Sequence, residues 1–235
     1  MKIQRTFHAI FALLLLAIVG NAQVDIRQSE SVSFSTQDGG TIYANVYGKG
    51  KHGVVLAHGG RFNKESWAKQ AKELADAGFV VLAFDFRGYG KSTGPGQTDI
   101  FTAPLYLDVL AAVEYLRKNG ATKVSLVGGS LGGGAAADAV AKAKPGEISR
   151  LLTLGGLAGN QSVEKINVPL LVITTRNDAN ADGLRLPNIQ AAFDKVPAKK
   201  QLVILEGTAH AQFMFDTDQS EKIMKMILKF LRKGH

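Results

Sequence analysis

A run of five residues, Gly128-Gly129-Ser130-Leu131-Gly132, joins an apolar strand pattern at Lys123 to Val127 to an alanine-rich helix former at Ala135 to Ala141. A strand that enters a helix over so short a stretch must double back sharply. Glycines two positions either side of Ser130 leave space for that reversal, and the reversal projects the serine hydroxyl away from the backbone. A G-x-S-x-G in this setting is a nucleophile elbow and points to acyl-transfer chemistry on the serine. With 26 glycines in the chain the pattern alone carries little weight, and it recurs at Gly90-Lys91-Ser92-Thr93-Gly94. Context separates the two. Gly94-Pro95-Gly96 follows Ser92 and breaks any helix, so Ser92 reads as a loop serine.

Short apolar runs alternate with helical periodicity along the rest of the chain. Ser31 to Ser35 and Thr41 to Tyr47 alternate as strands about a turn at Asp38-Gly39-Gly40. Gly53 to Ala57, Phe79 to Phe84, Leu151 to Leu154, Leu170 to Thr174 and Gln201 to Leu205 read as buried strands. Helices are predicted at Lys64 to Ala77, Pro104 to Lys118, Asn188 to Lys195 and Asp218 to Arg232, besides the one after Ser130. Gly78 and Gly120 stop the first two. This alternation implies an α/β fold, a mostly parallel central sheet with helices on both faces and an N-terminal antiparallel hairpin at one edge. Ligands of such sheets bind beyond the carboxyl ends of the strands.

Residues 1–22 read as a signal peptide. Lys2 and Arg5 form its positive start, Ile10 to Val19 its apolar core, and Gly20-Asn21-Ala22 the small residues before cleavage at Gln23. The apolar run is short of the roughly 20 residues of a membrane span. Residues 23–235 are then expected as a single domain, secreted or periplasmic, with a retained anchor as the alternative. The chain has no cysteine, which excludes disulfides, a cysteine nucleophile and thiolate metal sites. The formal charge is +8, and losing Lys2 and Arg5 leaves +8 − 2 = +6. The basic residues are spread out, with Lys222, Lys225, Lys229 and Lys233 on the expected solvated side of the last helix. That distribution favours a generic basic surface over nucleic-acid binding. The His, Asp and Glu residues show no metal-ligand spacing, and no cofactor is expected.

A serine hydroxyl needs a base. His235 is the terminus, and His52 precedes a strand at the wrong edge of the sheet. His58 follows a strand in His58-Gly59-Gly60, where bracing the loop suits it better than acting as a base. His210 lies in the loop after the last strand, the place expected for the base. A carboxylate should orient that imidazole. Asp178 follows Leu170 to Thr174 after a short turn and is preferred over Asp182, four residues on. The order Ser130, Asp178, His210 matches that of an elbow hydrolase. Backbone N–H donors for the oxyanion are expected from Leu131 and from Gly60, with Arg61 as the alternative to Gly60. Arg87-Gly88-Tyr89-Gly90-Lys91-Ser92 mimics the end of a phosphate-binding loop, but Asp85 stands where the first glycine is required. Gly88-Tyr89-Gly90 also lacks the third glycine of a dinucleotide fingerprint, because Thr93 takes its place.

Leu56-Ala57-His58-Gly59-Gly60, Phe84-Asp85-Phe86-Arg87-Gly88-Tyr89-Gly90-Lys91-Ser92, the elbow, Asp178 and His210 together resemble the α/β-hydrolase superfamily, in that family's order. The resemblance implies the α/β-hydrolase fold. It implies a serine hydrolase of the carboxylesterase kind, with Ser130 disfavouring relatives that use Asp or Cys nucleophiles. Many relatives insert a helical lid where this chain has only Gly155 to Val168. An open cleft suits small or polymer-attached esters better than buried long lipids, and Gly129 argues against a true lipase. Peptidase, amidase and acyltransferase activities use the same constellation, and a hydrolase-fold binding protein is the non-catalytic alternative. Phe62, Tyr89, Phe213 and Met214 are candidates for apolar cleft walls or for core.

Overall fold

The computed structural model describes residues 29–157 and 160–233. The signal-peptide reading of residues 1–22 lies outside the described residues. A hairpin opens the fold: β1 (Glu30–Ser35) pairs antiparallel with β2 (Thr41–Tyr47). Then come β3 (His52–Ala57), helix α1 (Ala68–Asp76), β4 (Val80–Phe84), α2 (Leu105–Lys118), β5 (Lys123–Gly129), α3 (Leu131–Lys142) and β6 (Arg150–Leu154). A short helix α4 (Asn160–Val163) leads to β7 (Leu170–Thr175). A two-stranded ribbon follows, β8 (Ala179–Asn180) with β9 (Gly183–Leu184). The chain continues through α5 (Leu186–Asp194), β10 (Lys200–Leu205) and α6 (Ser220–Arg232).

The main sheet has eight strands in the order β1-β2-β4-β3-β5-β6-β7-β10. β2 meets β4 antiparallel, and every later pairing in the sheet is parallel. Strands β3, β5 and β7 are buried along nearly their whole length, which is why they read as continuous apolar runs rather than alternating ones. Successive residues nonetheless feed two cores. Leu126 packs with α2 and α3 on one face, while Val127 packs with α1 and α6 on the other. Lys222, Lys225, Lys229 and Lys233 are exposed along α6, opposite buried Ile223, Ile227 and Phe230. Among the described residues no helix is long and apolar enough to cross a membrane.

Helices α1, α5 and α6 start elsewhere than the sequence reading places them, the last of them at Ser220 rather than Asp218. The stretch predicted as one helix from Lys64 to Ala77 begins as a 3-10 turn, Lys64–Trp67, and becomes α-helical only at Ala68. Asn63 caps that turn by accepting from the Ser66 N–H. Helix α5 starts at Leu186 instead of Asn188, because Pro187 is tolerated in the first helical turn, where its missing N–H costs nothing.

Candidate active site

The elbow takes its shape from glycines and from one strained residue. Ser130 sits at φ 49°, ψ −112°, a region that L-residues rarely occupy. A side chain at Gly128 would strike the Gly132 carbonyl, and one at Gly132 would strike the carbonyl of Ala57. Helix α3 therefore starts pressed against the strand it has just left and against the end of β3. Ser92 makes a different use of its hydroxyl. It is buried and accepts the Tyr43 N–H at 2.9 Å, tying the loop after β4 to β2.

Loops after β5, β7 and β10 bring the sequence candidates into one hydrogen-bonded chain. His210 Nε2 lies 2.7 Å from Ser130 Oγ, and His210 Nδ1 lies 2.6 Å from Asp178 Oδ2. Asp178 is fully buried, whereas Asp182 is exposed and engages its neighbour Asn180 at 3.0 Å. The structure thus places Asp178, not Asp182, against the imidazole. His210 itself precedes a 3-10 turn, Ala211–Asp216, whose first residue Ala211 has φ 51°. That turn swings the chain back beneath the β3 loop.

The β3 loop carries Gly60, and its peptide planes are pinned one by one. His58 Nε2 accepts the Phe86 N–H at 3.3 Å, so the ring proton sits on Nδ1, which donates to the Gly59 carbonyl at 2.8 Å. The Phe62 N–H reaches the same carbonyl at 2.9 Å. A trans peptide is planar, so fixing the Gly59 carbonyl fixes the opposite direction of the Gly60 N–H. Burial pushes the His58 pKa down, which keeps that ring neutral. Tyr89 donates to the Gly60 carbonyl at 2.8 Å. A Cβ built on Gly60 would lie 3.6 Å from Leu131 Cδ2, so the two candidate oxyanion residues are neighbours.

Sequence reasoning missed two residues of this neighbourhood. Gln212 is buried, accepts the Gly59 N–H at 2.9 Å through Oε1, and donates through Nε2 to Ser66 Oγ at 2.8 Å. It ties the His210 loop to the Gly60 loop. Arg185, at the start of α5, makes an ion pair with Asp178 Oδ1 at 3.3 Å. The Gln212 contacts join loops far apart in the chain, whereas Arg185 and Asp178 share the connection between β7 and α5, where no periodic pattern marks which side chains meet. Of the proposed cleft walls, Phe62 and Phe213 pack at a tilt with ring centroids 4.7 Å apart and Phe213 is exposed, while Met214 is buried in the core.

The loop after β4, carrying Tyr89, is held by a buried cation. Arg87 is wholly buried and bonds Asp108 at 2.6 and 2.9 Å and Asp38 at 2.6 and 3.0 Å. Burial works against its charge, but the two carboxylates outweigh that and raise its pKa. Among the described residues no group of three or more His, Asp or Glu side chains is placed to hold a metal ion. A hollow of about 700 Å³ between α2 and α3 is lined by residues such as Leu107, Arg117 and Lys142 and lies away from Ser130. A smaller cavity, about 360 Å³, is lined in part by Gly155 and Gly156, whose backbones pack against His210 and Ser130.

Comparison with known proteins agrees with this architecture. The sequence profile of the alpha/beta hydrolase fold matches residues 54–193, more than half of the chain. The chain belongs to the α/β-hydrolase family. It is 31% identical over 157 residues to a non-heme chloroperoxidase of Streptomyces lividans, covering 65% of this chain and 49% of the relative. It is 25% identical over 203 residues to a non-heme haloperoxidase of Rhodococcus erythropolis, covering 85% of this chain and 66% of the relative. The chain therefore spans about half to two thirds of the length of these curated relatives. Among solved structures it resembles an esterase of Pyrococcus furiosus, with a TM-score of 0.75 and 18% identity over 88% of this chain and 92% of the esterase. Likeness at that identity is likeness of fold.

Proposed function

We propose that this protein is a serine hydrolase that cleaves carboxylic esters through an acyl-enzyme on Ser130. The unbroken chain Ser130–His210–Asp178, at 2.7 and 2.6 Å, carries the reading. His210 Nε2 takes the proton of Ser130 Oγ as the oxygen attacks the ester carbonyl. Asp178 holds the Nδ1 proton and stabilises the imidazolium that forms. The negative oxygen of the tetrahedral intermediate is received by the N–H groups of Leu131 and Gly60. His210 then protonates the leaving alcohol. Water, deprotonated by the same nitrogen, releases the acid and regenerates the serine. Substrates are small or polymer-attached esters, in keeping with a connection of only residues 155–169 between β6 and β7. Removal of residues 1–22 would place the enzyme in the periplasm or outside the cell, and N-terminal sequencing of the mature protein checks that step.

A fluorophosphonate probe tests the nucleophile. Labelling at Ser130, located by peptide mass spectrometry and lost in His210→Ala, is the expected result. No labelling of folded protein would move the reading to a hydrolase-fold binding protein. A second reading keeps the acyl-enzyme and changes the acceptor, and the relatives named haloperoxidases favour it. Hydrogen peroxide attacking the acyl carbonyl would give a peracid and free Ser130, and the peracid would oxidise halide while reverting to the acid. Peracid formed from ester and peroxide, absent in Ser130→Ala, would establish this activity.

A further inference from the structure

Gly155 and Gly156 line one side of the cavity next to the elbow. A Cβ on Gly156 would stand 3.4 Å from Ser130 Cα, and one on Gly155 would stand 2.9 Å from His210 Nδ1. These two glycines stand between the elbow and a space of about 360 Å³, within the range of small-ligand pockets. Its opposite wall is the start of α5. Ile189 offers apolar surface there and Asn188 and Arg185 offer donors, while Leu157 adds apolar surface beside Gly156.

Arg185 is the unusual element. Its Nε approaches Asp178 Oδ1 at 3.3 Å, yet neither atom has a hydrogen-bond partner, and both are buried. A third of the side chain, 34%, remains open on the cavity side. A guanidinium presents a planar fork of N–H donors that matches a carboxylate. The other charged residue of the lining, Asp182, is exposed, so water screens its charge, and it accepts from the Asn180 amide at 3.0 Å. A buried carboxylate held behind Arg185 and an unfilled fork in front of it make a seat for a second anion.

We propose that this cavity is the specificity pocket and takes an ester limb ending in a carboxylate, with Arg185 as its counter-charge. The proposal rests on the acyl-enzyme reading above. The apolar surface of Leu157 and Ile189 beside Arg185 suits short methylene chains, so the substrates are monoesters of short dicarboxylic acids or esters of short hydroxy acids. Both share the carboxylate, and they differ in whether it lies on the acyl or the alcohol limb.

Paired substrates separate these. Wild-type kcat/KM is measured on 4-nitrophenyl hemisuccinate against 4-nitrophenyl butyrate, and on 3-acetoxypropanoate against propyl acetate. One charged member of a pair is favoured, and that pair identifies the limb. Arg185→Ala lowers the charged-to-neutral ratio by about 10- to 100-fold, the scale of a hydrogen bond to a charged group, and Arg185→Lys keeps part of it. Equal losses on charged and neutral esters would overturn the proposal, because Arg185 would then only position Asp178. Binding of monomethyl glutarate to Ser130→Ala, followed by NMR with and without Arg185→Ala, separates the two readings. Arg185-dependent binding without turnover of any ester keeps the pocket and sinks ester hydrolysis. Turnover with a ratio blind to Arg185 keeps hydrolysis and sinks the pocket.

Discussion

Strand β5 carries a serine–histidine contact at each end. Just past its carboxyl end Ser130 meets His210 at 2.7 Å, and within its first half Ser125 meets His52 at 2.8 Å. The two distances are equivalent, so distance does not make a nucleophile. Ser125 is fully buried inside the sheet, and its hydroxyl also meets that of Ser149 at 3.0 Å. Ser130 is half-buried on a strained turn, its histidine is backed by a buried carboxylate, and side-chain-free glycine backbone packs against both. The amino ends of parallel strands are packed shut, whereas the carboxyl ends open where neighbouring loops diverge. Position in the topology, not the pair itself, separates a structural pair from a candidate site.

Substituting each serine breaks or sustains that comparison most directly. Ser130→Ala is expected to lower ester turnover by about 10⁴-fold or more with little change in stability. Comparable loss from Ser125→Ala, measured by initial rates on the same ester, would erase the distinction. The elbow itself supplies the next effect. Gly132→Ala drives a Cβ into the Ala57 carbonyl and should destabilise the fold by about 3 kcal/mol, while Gly134→Ala, where a Cβ meets nothing, should stabilise by about 0.5–1 kcal/mol. Urea unfolding of the two variants tests whether the tightness is local to the turn.

A third histidine gives a smaller, pH-dependent effect. Burial holds the folded-state pKa of His58 below that of the unfolded chain. Below about pH 6.5 the unfolded state therefore binds a proton that the folded state refuses, and stability falls as pH drops, by at most about 1.4 kcal/mol per pH unit. His58→Gln should flatten this slope between about pH 7 and 5, and an unchanged slope would assign it to another group. The smallest effect belongs to the closed end of β5. Ser125→Ala removes the hydrogen bond between its hydroxyl and His52 and should cost about 1 kcal/mol, visible as a lower urea midpoint with ester turnover intact.

The strands of the sheet and the elbow were legible because their causes are local. Apolar runs such as Leu170 to Thr174 must be buried on both faces, and a serine flanked by glycines between strand and helix permits few backbones. Asp178 over Asp182 could be argued from nearness to the strand end alone, and the packing places them apart, one buried and one exposed. The break in the predicted Lys64 to Ala77 helix was not legible, because Lys64 is drawn to Asp85 by its N–H at 2.8 Å and its ammonium at 2.7 Å, across a sequence separation of 21. Gln212 was hidden for the same reason. Its partners, Gly59 and Ser66, lie across loops whose meeting no local pattern encodes, while Arg185 and Asp178 share one irregular connection that has no periodicity to read.

By itself the amino-acid order determined the alternation of strand and helix, the sharp turn at Ser130 and the residue types that chemistry could use, because backbone sterics and periodic burial act over a few neighbouring residues. Only the tertiary structure decided which histidine faces which serine, which carboxylate backs the imidazole, and that an arginine stands behind that carboxylate beside an open cavity. Those choices depend on where loops from β3, β5, β7 and β10 converge, and that convergence is set by packing across the whole sheet.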